Sequence, residues 1–307
     1  MICVVGSVLV DLMAYGEKLP TPGETVTGFN YQITAGGKGA NQAAAAARLG
    51  VQTYFLGKIS GRDKLAQVLW DGFSRAGVDT SEVGIEDTMD CGVGVIHVGE
   101  KSQNQIIIVL GPNLHLDKEY IDSKYDIIAS SKVVLTEFGI PLQSAEYATS
   151  VAKKAGAITL VNPAPALPMS DSFLRSADVL TPNETEAEIL TGIQVVNAET
   201  AKKAAAIFHQ KQVNNVIITM GDMGVFVSDG SRCEFIESID CHPVDTTGAG
   251  DAFSGGLAAA LARENEIFAA ARYANVVAGL SVTRSGTMKS MPDKADVDAY
   301  IQNLGLY

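Results

Sequence analysis

Residues 244–256 read VDTTGAGDAFSGG, a glycine-rich turn that runs directly into an apolar helix. Gly248 and Gly250 permit positive φ angles and a close approach of the backbone to a ligand. A helix beginning near Ala249 leaves its first amides without intrahelical partners, and their partial positive charge favours an anion such as phosphate. Asp251 at this helix start is therefore either a first-turn acid that stabilises the N-terminus or a general base beside a phosphate.

Outward from this turn, strands and helices alternate along the chain. Apolar β-branched runs such as ICVV at 2–5 and NVIITM at 215–220 predict buried strands, and residues 198–210 predict one of the intervening helices. Three helical segments close the chain, at 249–262, 264–283 and 293–304. The alternation predicts one α/β domain over residues 1–307, with a central, mainly parallel sheet and helices on both faces.

Two segments depart from this alternation. Residues 12–34 contain proline and glycine and then alternate polar and apolar side chains, and residues 91–113 predict two strands joined by a polar turn. Each segment lies between helix-and-strand units. We therefore expect the two to come together as one small appended sheet.

Charge, hydropathy and cysteine usage exclude several classes of protein. The chain has 35 acidic and 23 basic side chains, a net charge of −12, so nucleic acid is not an expected partner. There is no apolar run of about 18 residues and no basic stretch before ICVVGSVLVDL, so neither a membrane span nor a signal peptide is predicted. The four cysteines lack metal-ligand spacing, which predicts reduced, buried thiols in a cytoplasmic protein.

Polar residues follow several of the predicted strands. Ligands of open α/β sheets bind outside the carboxyl ends of the strands, so these residues are expected to converge there and to indicate an enzyme. The residues are Asp11, Glu137, Asn162, Asn183, Thr219 and the loop 245–251.

A second glycine-rich stretch, GGKGANQAAAAARLG, occupies residues 36–50. Its glycines allow a backbone approach to a ligand, with Lys38 and Asn41 at the same helix start; the alternative is a tight turn with a solvated lysine. The run of alanines at 43–47 predicts a helix that packs close to its neighbour. Neither a P-loop motif nor the GxGxxG fingerprint of dinucleotide-binding enzymes is present.

Together, GGKGANQAAAAARLG and DTTGAGDAFSGG resemble the two signatures of the ribokinase (phosphofructokinase-B) family of sugar kinases. TPNETEAEILTG, ITMGDMGV, PTPGETVTG and NPAPA are also similar to segments of that family. The resemblance extends from Gly6 to about Pro292. It implies a ribokinase-like fold in which the appended sheet, about 12–34 and 91–111, is a lid over the sugar and pairs two subunits.

The resemblance also implies roles for individual residues. Asp251 matches the catalytic base, and the anion hole for the transferring phosphate matches Gly248, Ala249 and Gly250. The contacts to sugar hydroxyls match Asp11, Gly37, Lys38 and Asn41.

The expected cofactors are ATP, Mg²⁺ and a K⁺-like ion. Asn183 and Glu186 match the pair that organises Mg²⁺, largely through water, although their spacing also fits a capping box. Besides Asn183, the positions that match the ATP site are Thr219, Gly221 and Asn275. The loop region expected to hold K⁺, mostly by backbone carbonyls, contains Asp245, Thr247, Ser281, Arg284, Gly286 and Ser290.

Two positions depart from the ribokinase pattern. Leu9 stands where ribokinases usually carry an asparagine that binds a ring hydroxyl, and deoxyribokinases look similar here. Gly139 stands where ribokinases usually carry a glutamate, so either the pocket is enlarged or Glu137 takes that role. Both positions are assigned to substrate binding.

We therefore expect an ATP-dependent kinase for the primary (5-) hydroxyl of a pentose, D-ribose or 2-deoxy-D-ribose. A kinase for a nucleoside or another furanose-like sugar is the near alternative. A non-catalytic sugar-binding regulator is an alternative of another class, which the intact Asp251 opposes. A nicotinamide oxidoreductase is a third option, which the missing fingerprint opposes.

Overall fold

The computed structural model describes residues 1–99 and 103–303. The predicted turn at 100–102 and the last residue of the predicted helix 293–304 lie outside this range, as do residues 305–307 of the predicted domain. The strands are β1 Ile2–Val5, β2 Leu9–Gly16, β3 Gly28–Gly36, β4 Thr53–Leu56, β5 Lys58–Ser60, β6 Gly84–Glu86, β7 Val93–Val98, β8 Asn104–Val109, β9 Val133–Thr136, β10 Ile158–Val161, β11 Val179–Leu180, β12 Asn215–Thr219, β13 Gly224–Ser228 and β14 Cys233–Glu237. The α-helices are α1 Lys38–Arg48, α2 Ala66–Ala76, α3 Lys118–Ser123, α4 Tyr125–Ser130, α5 Leu142–Ala155, α6 Asp171–Ser176, α7 Glu184–Thr191, α8 Ala198–Gln210, α9 Ala249–Ala262, α10 Ile267–Ser281 and α11 Lys294–Asn303.

The central sheet has eight strands in the order β14-β13-β12-β11-β10-β9-β1-β4. The six strands from β12 to β4 are parallel, and β13 and β14 add an antiparallel hairpin at one edge. Alternate side chains of β1 enter two separate hydrophobic clusters, Ile2 and Val4 in one, Cys3 and Val5 in the other. Since side chains alternate across a strand, helices cover both faces, which confirms the predicted architecture.

A separate four-stranded sheet has the order β3-β2-β7-β8 and unites the two segments that depart from the alternation. The strands β7 and β8 form the predicted antiparallel hairpin, and β2 pairs in parallel with β7. Because β2 begins at Leu9, Asp11 lies inside a strand of this appended sheet. The expectation that Asp11 follows a strand of the central sheet is therefore wrong.

Two local expectations are corrected by the structure. The run QTYFLGKI at 52–59 predicts one strand from its sequence, but it divides at Gly57 into β4 in the central sheet and β5, which pairs with β6 in a separate two-stranded sheet. All four cysteines are free, but Cys233 is exposed and Cys241 is half-buried. The expectation of buried thiols fails for Cys233 because edge strand β14 turns alternate side chains to solvent.

The alanine-rich helix α1 packs directly against α9. Ala43 to Ala46 are completely buried. A Cβ atom added to Gly255 of α9 would lie 2.5 Å from the carbonyl oxygen of Gln42 and 2.6 Å from the Cβ atom of Ala45. The predicted close packing of α1 is confirmed, and it holds the N-terminal turns of the two helices side by side. Over residues 1–99 and 103–303, none of the helices has the length and apolar character needed to cross a membrane.

Candidate active site

Two adjoining cavities lie where the loops after the central strands meet the appended sheet. The larger cavity has a volume of about 440 Å³ and the smaller about 170 Å³. Three residues line both cavities: Lys38 at the start of α1, Gly248 before α9, and Asp251 in the first turn of α9. A group bound in one cavity therefore meets a group bound in the other at these three residues.

The larger cavity is bounded by loops that follow the central strands and by the appended sheet. From the appended sheet and its flanks come the apolar side chains of Leu9, Ile96, Ile106, Ile108 and Leu110. The polar lining comes partly from the same sheet, through Asp11, and otherwise from the surrounding loops and helix starts, with Ser7, Lys38, Asn41, Asp251 and Thr287. Such an arrangement suits a small ligand with hydroxyl groups on one edge and an apolar surface on the other.

Asp11 is buried in the wall of the larger cavity. Thr287 donates to its Oδ2 atom across 3.4 Å. Gly36 and Gly94 flank the carboxylate, and a Cβ atom on either would lie within 3.0 Å of its oxygens. Burial raises the pKa of Asp11 to about 6, Thr287 lowers it, and the negative charge of Asp251 adds to the rise.

Asp251 accepts hydrogen bonds on both carboxylate oxygens. Asn41 Nδ2 donates to Oδ2 across 2.9 Å, and Gln42 Nε2 donates to Oδ1 across 3.1 Å. Burial raises the pKa of this carboxyl, while Lys38, Asn41 and Gln42 oppose the rise by favouring the ionised form. Asp251 is thus an oriented carboxylate whose pKa lies above the ordinary range, which suits a general base.

Lys38 is a half-buried cation rather than a solvated one. The negative charge of Asp251 raises the pKa of its ammonium group, burial lowers it, and Glu137 and Glu186 add to the rise. Gly37, immediately before α1, has φ of 95°, and a Cβ atom there would lie 2.7 Å from Cα of Val8. Only glycine fits this approach, so the turn places Lys38 between the two cavities.

The smaller cavity is formed around the N-terminus of α9. Gly248 caps the helix with φ of 82°, in the left-handed region, as the sequence predicts. Gly250 does not have a positive φ; instead a Cβ atom there would meet nothing within 4 Å, so this residue leaves room in the cavity. The first-turn amides and the positive end of the helix dipole favour an anion in this cavity.

Asn183 and Glu186 line the smaller cavity and also form a capping box on α7. The amide of Glu186 donates to Asn183 Oδ1 across 2.8 Å, and the amide of Asn183 donates to Glu186 Oε2 across 2.9 Å. Burial raises the pKa of Glu186. The cap uses one carboxylate oxygen, so the other remains for a hydrated Mg²⁺ ion, and the two residues fit that ion through water.

Of the three further residues assigned to the nucleotide, one lines the smaller cavity, whereas Gly221 and Asn275 line neither cavity. Thr219, the last residue of β12, lines the smaller cavity and forms a bridge with Asn183. Gly221 follows it with φ of 54°. Asn275 in α10 is buried and donates from Nδ2 to the carbonyl oxygen of Glu237 across 2.7 Å, which ties α10 to β14.

The loop before α9 is held to the loop after α10 through Asp245. Its Oδ1 atom accepts from the amide of Thr247 across 3.0 Å, and its Oδ2 atom accepts from the amide of Gly286 across 2.9 Å. Burial acts to raise the pKa of Asp245, but the hydrogen bonds from Gly286 and Thr247 outweigh it and hold the pKa below its usual value. The structure therefore brings three of the six residues assigned to the K⁺-like ion together.

The side chains of Ser281, Arg284 and Ser290, the other three residues assigned to this ion, bind other partners. Ser281 donates to the carbonyl oxygen of Ala278 and Ser290 donates to that of Thr287, both across 2.7 Å. Arg284 pairs with Asp296. In the part of the chain that the structure describes, no three His, Cys, Asp or Glu side chains are grouped to hold a metal ion. The expectation that a K⁺-like ion is held here mostly by backbone carbonyls stays a prediction.

Gly139 lines the larger cavity, but no side chain fits at that position. A Cβ atom would lie 2.4 Å from Ser7 Oγ and 2.8 Å from Glu137 Oε2. Glu137 is fully buried, lines neither cavity, and accepts hydrogen bonds from the amides of Ser7 and Gly139. Glu137 therefore braces the loops after β1 and β9 and does not replace a glutamate that contacts the ligand.

The sequence prediction also missed Gln42 and Thr287, and it gave Asn162 only a place after a strand. Gln42 lies in the same glycine-rich motif as Asn41, but its contact with Asp251 spans 209 residues. Thr287 contacts Asp11 across 276 residues. The motif spacing was the only signal available for Gln42, and none existed for Thr287.

A helix N-terminus that favours an anion, a buried carboxylate shared by two cavities and a polar lining in the neighbouring cavity are features expected of a small-molecule phosphotransferase. The sequence profile of the pfkB family of carbohydrate kinases matches residues 1–294, and the chain belongs to this family. It is therefore a phosphotransferase with an alcohol group as acceptor.

Individual relatives match over nearly the whole chain. A ribokinase from Haemophilus influenzae is 39% identical over 300 residues, covering 98% of each chain. A deoxyribokinase from Salmonella typhi is 35% identical over 301 residues, also covering 98% of each. The structure of Arabidopsis thaliana ribokinase complexed with ribose and ATP matches with a TM-score of 0.92 at 32% identity, covering 98% of each chain.

Proposed function

We propose that this protein transfers the γ-phosphoryl group of ATP to the primary hydroxyl of a pentose, with 2-deoxy-D-ribose and D-ribose as the candidate acceptors. The observation that carries the proposal is the position of Asp251 in the wall shared by the two cavities. Relatives of both specificities, a ribokinase and a deoxyribokinase, support a pentose acceptor.

In this proposal the larger cavity holds the sugar. Asp11 and Asn41, which both line this cavity, bind ring hydroxyls. The primary hydroxyl points at Asp251, which orients it and removes its proton as it attacks the phosphorus atom in line.

The smaller cavity holds the phosphate groups of ATP. The amides of Gly248, Ala249 and Gly250 and the ammonium group of Lys38 stabilise the negative charge on the phosphoryl group in transit. Thr219, Gly221 and Asn275 are the proposed contacts on the nucleotide side. Bound Mg²⁺, placed by Asn183 and Glu186 through water, would neutralise charge on the phosphate oxygens.

A K⁺-like ion is proposed in the loop held by Asp245. Through backbone carbonyls it would order the turn before α9 without touching the substrate. The hydrogen bond from Gly286 to Asp245 supports this proposal, since it joins the two loops that would share the ion.

The choice between ribose and 2-deoxyribose falls on Leu9. Its side chain is buried in the wall of the larger cavity and offers no hydrogen-bonding group. A ring hydroxyl facing Leu9 would be left without a partner, at a cost of about 1–3 kcal/mol. We therefore favour 2-deoxy-D-ribose, and the apolar side chains of Ile96, Ile106 and Ile108 keep a nucleoside as the second candidate.

We propose that the appended sheet, formed by the described residues of 12–34 and 91–111, is the lid over the sugar. Its strands β7 and β8 supply part of the wall of the larger cavity. We further propose that it pairs with the lid of a second copy. Phe29, Tyr31 and Ile107 on this sheet are 73%, 73% and 66% exposed, an apolar surface that a second copy would cover. Free thiols and the use of ATP are consistent with a cytoplasmic protein.

The test is ATP consumption measured over pentoses, 2-deoxyribose, hexoses and nucleosides, alongside the Asp251→Asn variant. We expect turnover with a pentose, and a fall in kcat of at least about 100-fold in Asp251→Asn with sugar binding retained in calorimetry. Sugar binding without ATP consumption by the native protein would identify a regulator instead. Unchanged turnover in Asp251→Asn would overturn the mechanism, and an absorbance change with NAD and a sugar would indicate an oxidoreductase.

A further inference from the structure

Gln42 is completely buried between Asp251 and the end of β10. Its Nε2 atom donates to Asp251 Oδ1 and to Asn162 Oδ1, each across 3.1 Å. Asn162 in turn donates from Nδ2 to the carbonyl oxygen of Thr181 across 2.9 Å. These groups form a continuous chain of hydrogen bonds, which we call the amide relay: the Thr181 carbonyl, Asn162 and Gln42, ending on Asp251.

The direction of every bond in the amide relay is fixed by its first member. A backbone carbonyl can only accept, so Asn162 must turn its NH₂ group toward Thr181 and its oxygen toward Gln42. Gln42 then faces two acceptors, Asn162 Oδ1 and Asp251 Oδ1, and must turn its NH₂ group toward both. The relay therefore presents an N–H group to Asp251, whereas the flipped amide would set two oxygens against each other.

This orientation of the Gln42 amide lowers the stability of the folded protein. The Oε1 atom of Gln42 is buried and has no hydrogen-bond partner among residues 1–99 and 103–303. An unsatisfied buried acceptor costs about 1–3 kcal/mol, and an apolar side chain of similar size, such as methionine, would avoid that cost. A glutamine kept here in spite of the cost indicates that its donated hydrogen bond serves the site.

The benefit lies at Asp251. With Asn41 on Oδ2 and Gln42 on Oδ1, both oxygens receive an N–H group, which fixes the plane of the carboxylate and favours its ionised form. The relay begins at Asn162 and Thr181, which line the smaller cavity, and ends at the carboxylate that also lines the larger one. It thus ties the geometry of the base to the wall of the phosphate cavity.

We propose that Gln42 is a positioning residue for the reaction, and that Asn162 acts through it by fixing the orientation of its amide. The proposal rests on the proposed function of Asp251 as general base. Gln42 itself touches neither substrate in this arrangement, because it lines neither cavity.

The first test is Gln42→Met, which keeps the volume and removes the donor. We expect kcat to fall about 10- to 100-fold, the effect of a displaced reacting group, with KM for sugar and for ATP within about threefold of the native values. The acid limb of the kcat–pH profile should move to higher pH, since the burial of Asp251 is then opposed by one hydrogen bond fewer. A native kcat with an unmoved acid limb would overturn the proposal.

The second test examines the relay as a unit. Asn162→Leu removes the acceptor that orients Gln42 and should move the acid limb in the same direction. If the two residues act in series, the double variant Gln42→Met/Asn162→Leu should lose no more than about threefold in kcat beyond Gln42→Met alone. If the loss of kcat in the double variant equals the product of the losses in the two single variants, the residues act independently and the relay is refuted. Asn162→Leu carries the same pH readout if Gln42→Met does not fold.

Thr149→Val is the matched control for loss of a buried polar group. Thr149 is buried in α5, donates to the carbonyl oxygen of Ala145, and lines neither cavity. We expect its kcat, KM and pH profile to be native even if its thermal midpoint falls. Asp251→Asn in the same assays separates the two proposals. If Asp251→Asn is inactive and Gln42→Met has native activity and a native pH profile, only the relay is refuted. If Asp251→Asn is active, both the proposed base and the relay are refuted.

Discussion

Leu9 is the residue at which acceptor specificity is expected to be decided. Replacing Leu9 with Asn supplies a hydrogen-bonding group in the wall of the larger cavity, worth about 0.5–1.5 kcal/mol to a hydroxyl that meets it. We expect the ratio of kcat/KM for D-ribose over 2-deoxy-D-ribose to rise about three- to tenfold. The control Leu9→Met keeps the wall apolar and should leave the ratio unchanged. A ratio unaffected by Leu9→Asn would show that no ring hydroxyl faces this residue.

Asp11 sets a pH dependence of stability. Its pKa is about 6 in the folded protein, against an ordinary value of 3.8 for an aspartate, so between these values the folded state binds more protons than the unfolded state. Stability contributed by this group is therefore lost as the pH rises from about 4 to about 6 and stays low above that. The size of the loss is on the order of 2–3 kcal/mol.

Asp11→Asn tests this dependence, because the amide is neutral at every pH. The variant should be more stable than the native protein at pH 8, with little difference near pH 4, while its KM for sugar rises because an acceptor is lost. Thermal midpoints at the two pH values and sugar titrations measure both effects. Equal midpoints at pH 8 would show that the carboxylate is already compensated in the empty site.

At the scale of elements, the contact between α1 and α9 involves Gly255, whereas its neighbour Gly256 faces Val277 of α10. A Cβ atom on Gly255 would meet the backbone carbonyl of Gln42 at 2.5 Å, whereas one on Gly256 would meet only the side chain of Val277, at 3.0 Å. The approach at Gly255 is the closer of the two and is made by the backbone of another helix, so an added methyl group is accommodated less well there than at Gly256.

Gly255→Ala should therefore destabilise the fold by about 1–3 kcal/mol, as overpacking does, and lower kcat because α1 carries Asn41 and Gln42. Gly256→Ala gains the same helix propensity and is the matched control, with a smaller loss of stability and near-native kcat. Chemical denaturation and initial rates measure the two effects. If both variants lose the same stability and the same kcat, the contact of Gly255 with α1 is not the cause of the loss.

The capping box on α7 and the proposed magnesium role of Glu186 can be separated. Glu186→Gln keeps an oxygen that accepts from the amide of Asn183, so the cap and the thermal midpoint should be retained. Loss of the charge should raise the Mg²⁺ concentration needed for half-maximal activity, by about tenfold or more. Magnesium titrations of activity measure this, and an unchanged requirement would leave Glu186 with the cap alone.

At the scale of the whole molecule, the apolar outer side of the lid predicts a homodimer. Ile107→Glu places a charge on the exposed face of β8, opposite the side chains that line the cavity, and should convert the protein to a monomer in analytical ultracentrifugation. Ile85→Glu is the control, since Ile85 is 55% exposed on the separate β5–β6 sheet. A native protein that stays monomeric at all concentrations would refute pairing through the lid.

Much of this molecule follows from local sequence. The alternation of buried strands and helices predicts the α/β sheet because periodicity is a local property, and 198–210 and 249–262 agree with the observed helices residue for residue. The two glycine-rich motifs mark Lys38, Asn41 and Asp251 for the same reason: a close backbone approach at a helix start requires glycine at fixed spacing. Local pattern failed where a strand changes sheet, at Gly57 and at Asp11, because nothing near those residues specifies a partner strand.

The sequence by itself determined the fold class, the family and the residues of the two motifs. Only the tertiary structure decided that Asp251 belongs to both cavities, that Glu137 is buried between two loops, and that Gln42 and Asn162 form a hydrogen-bonded chain to Asp251. These contacts join residues 120 to 210 positions apart. Local sequence carries no information about such pairs, because they are brought together by the order of the central strands and by the packing of α1 against α9 on one face of the sheet.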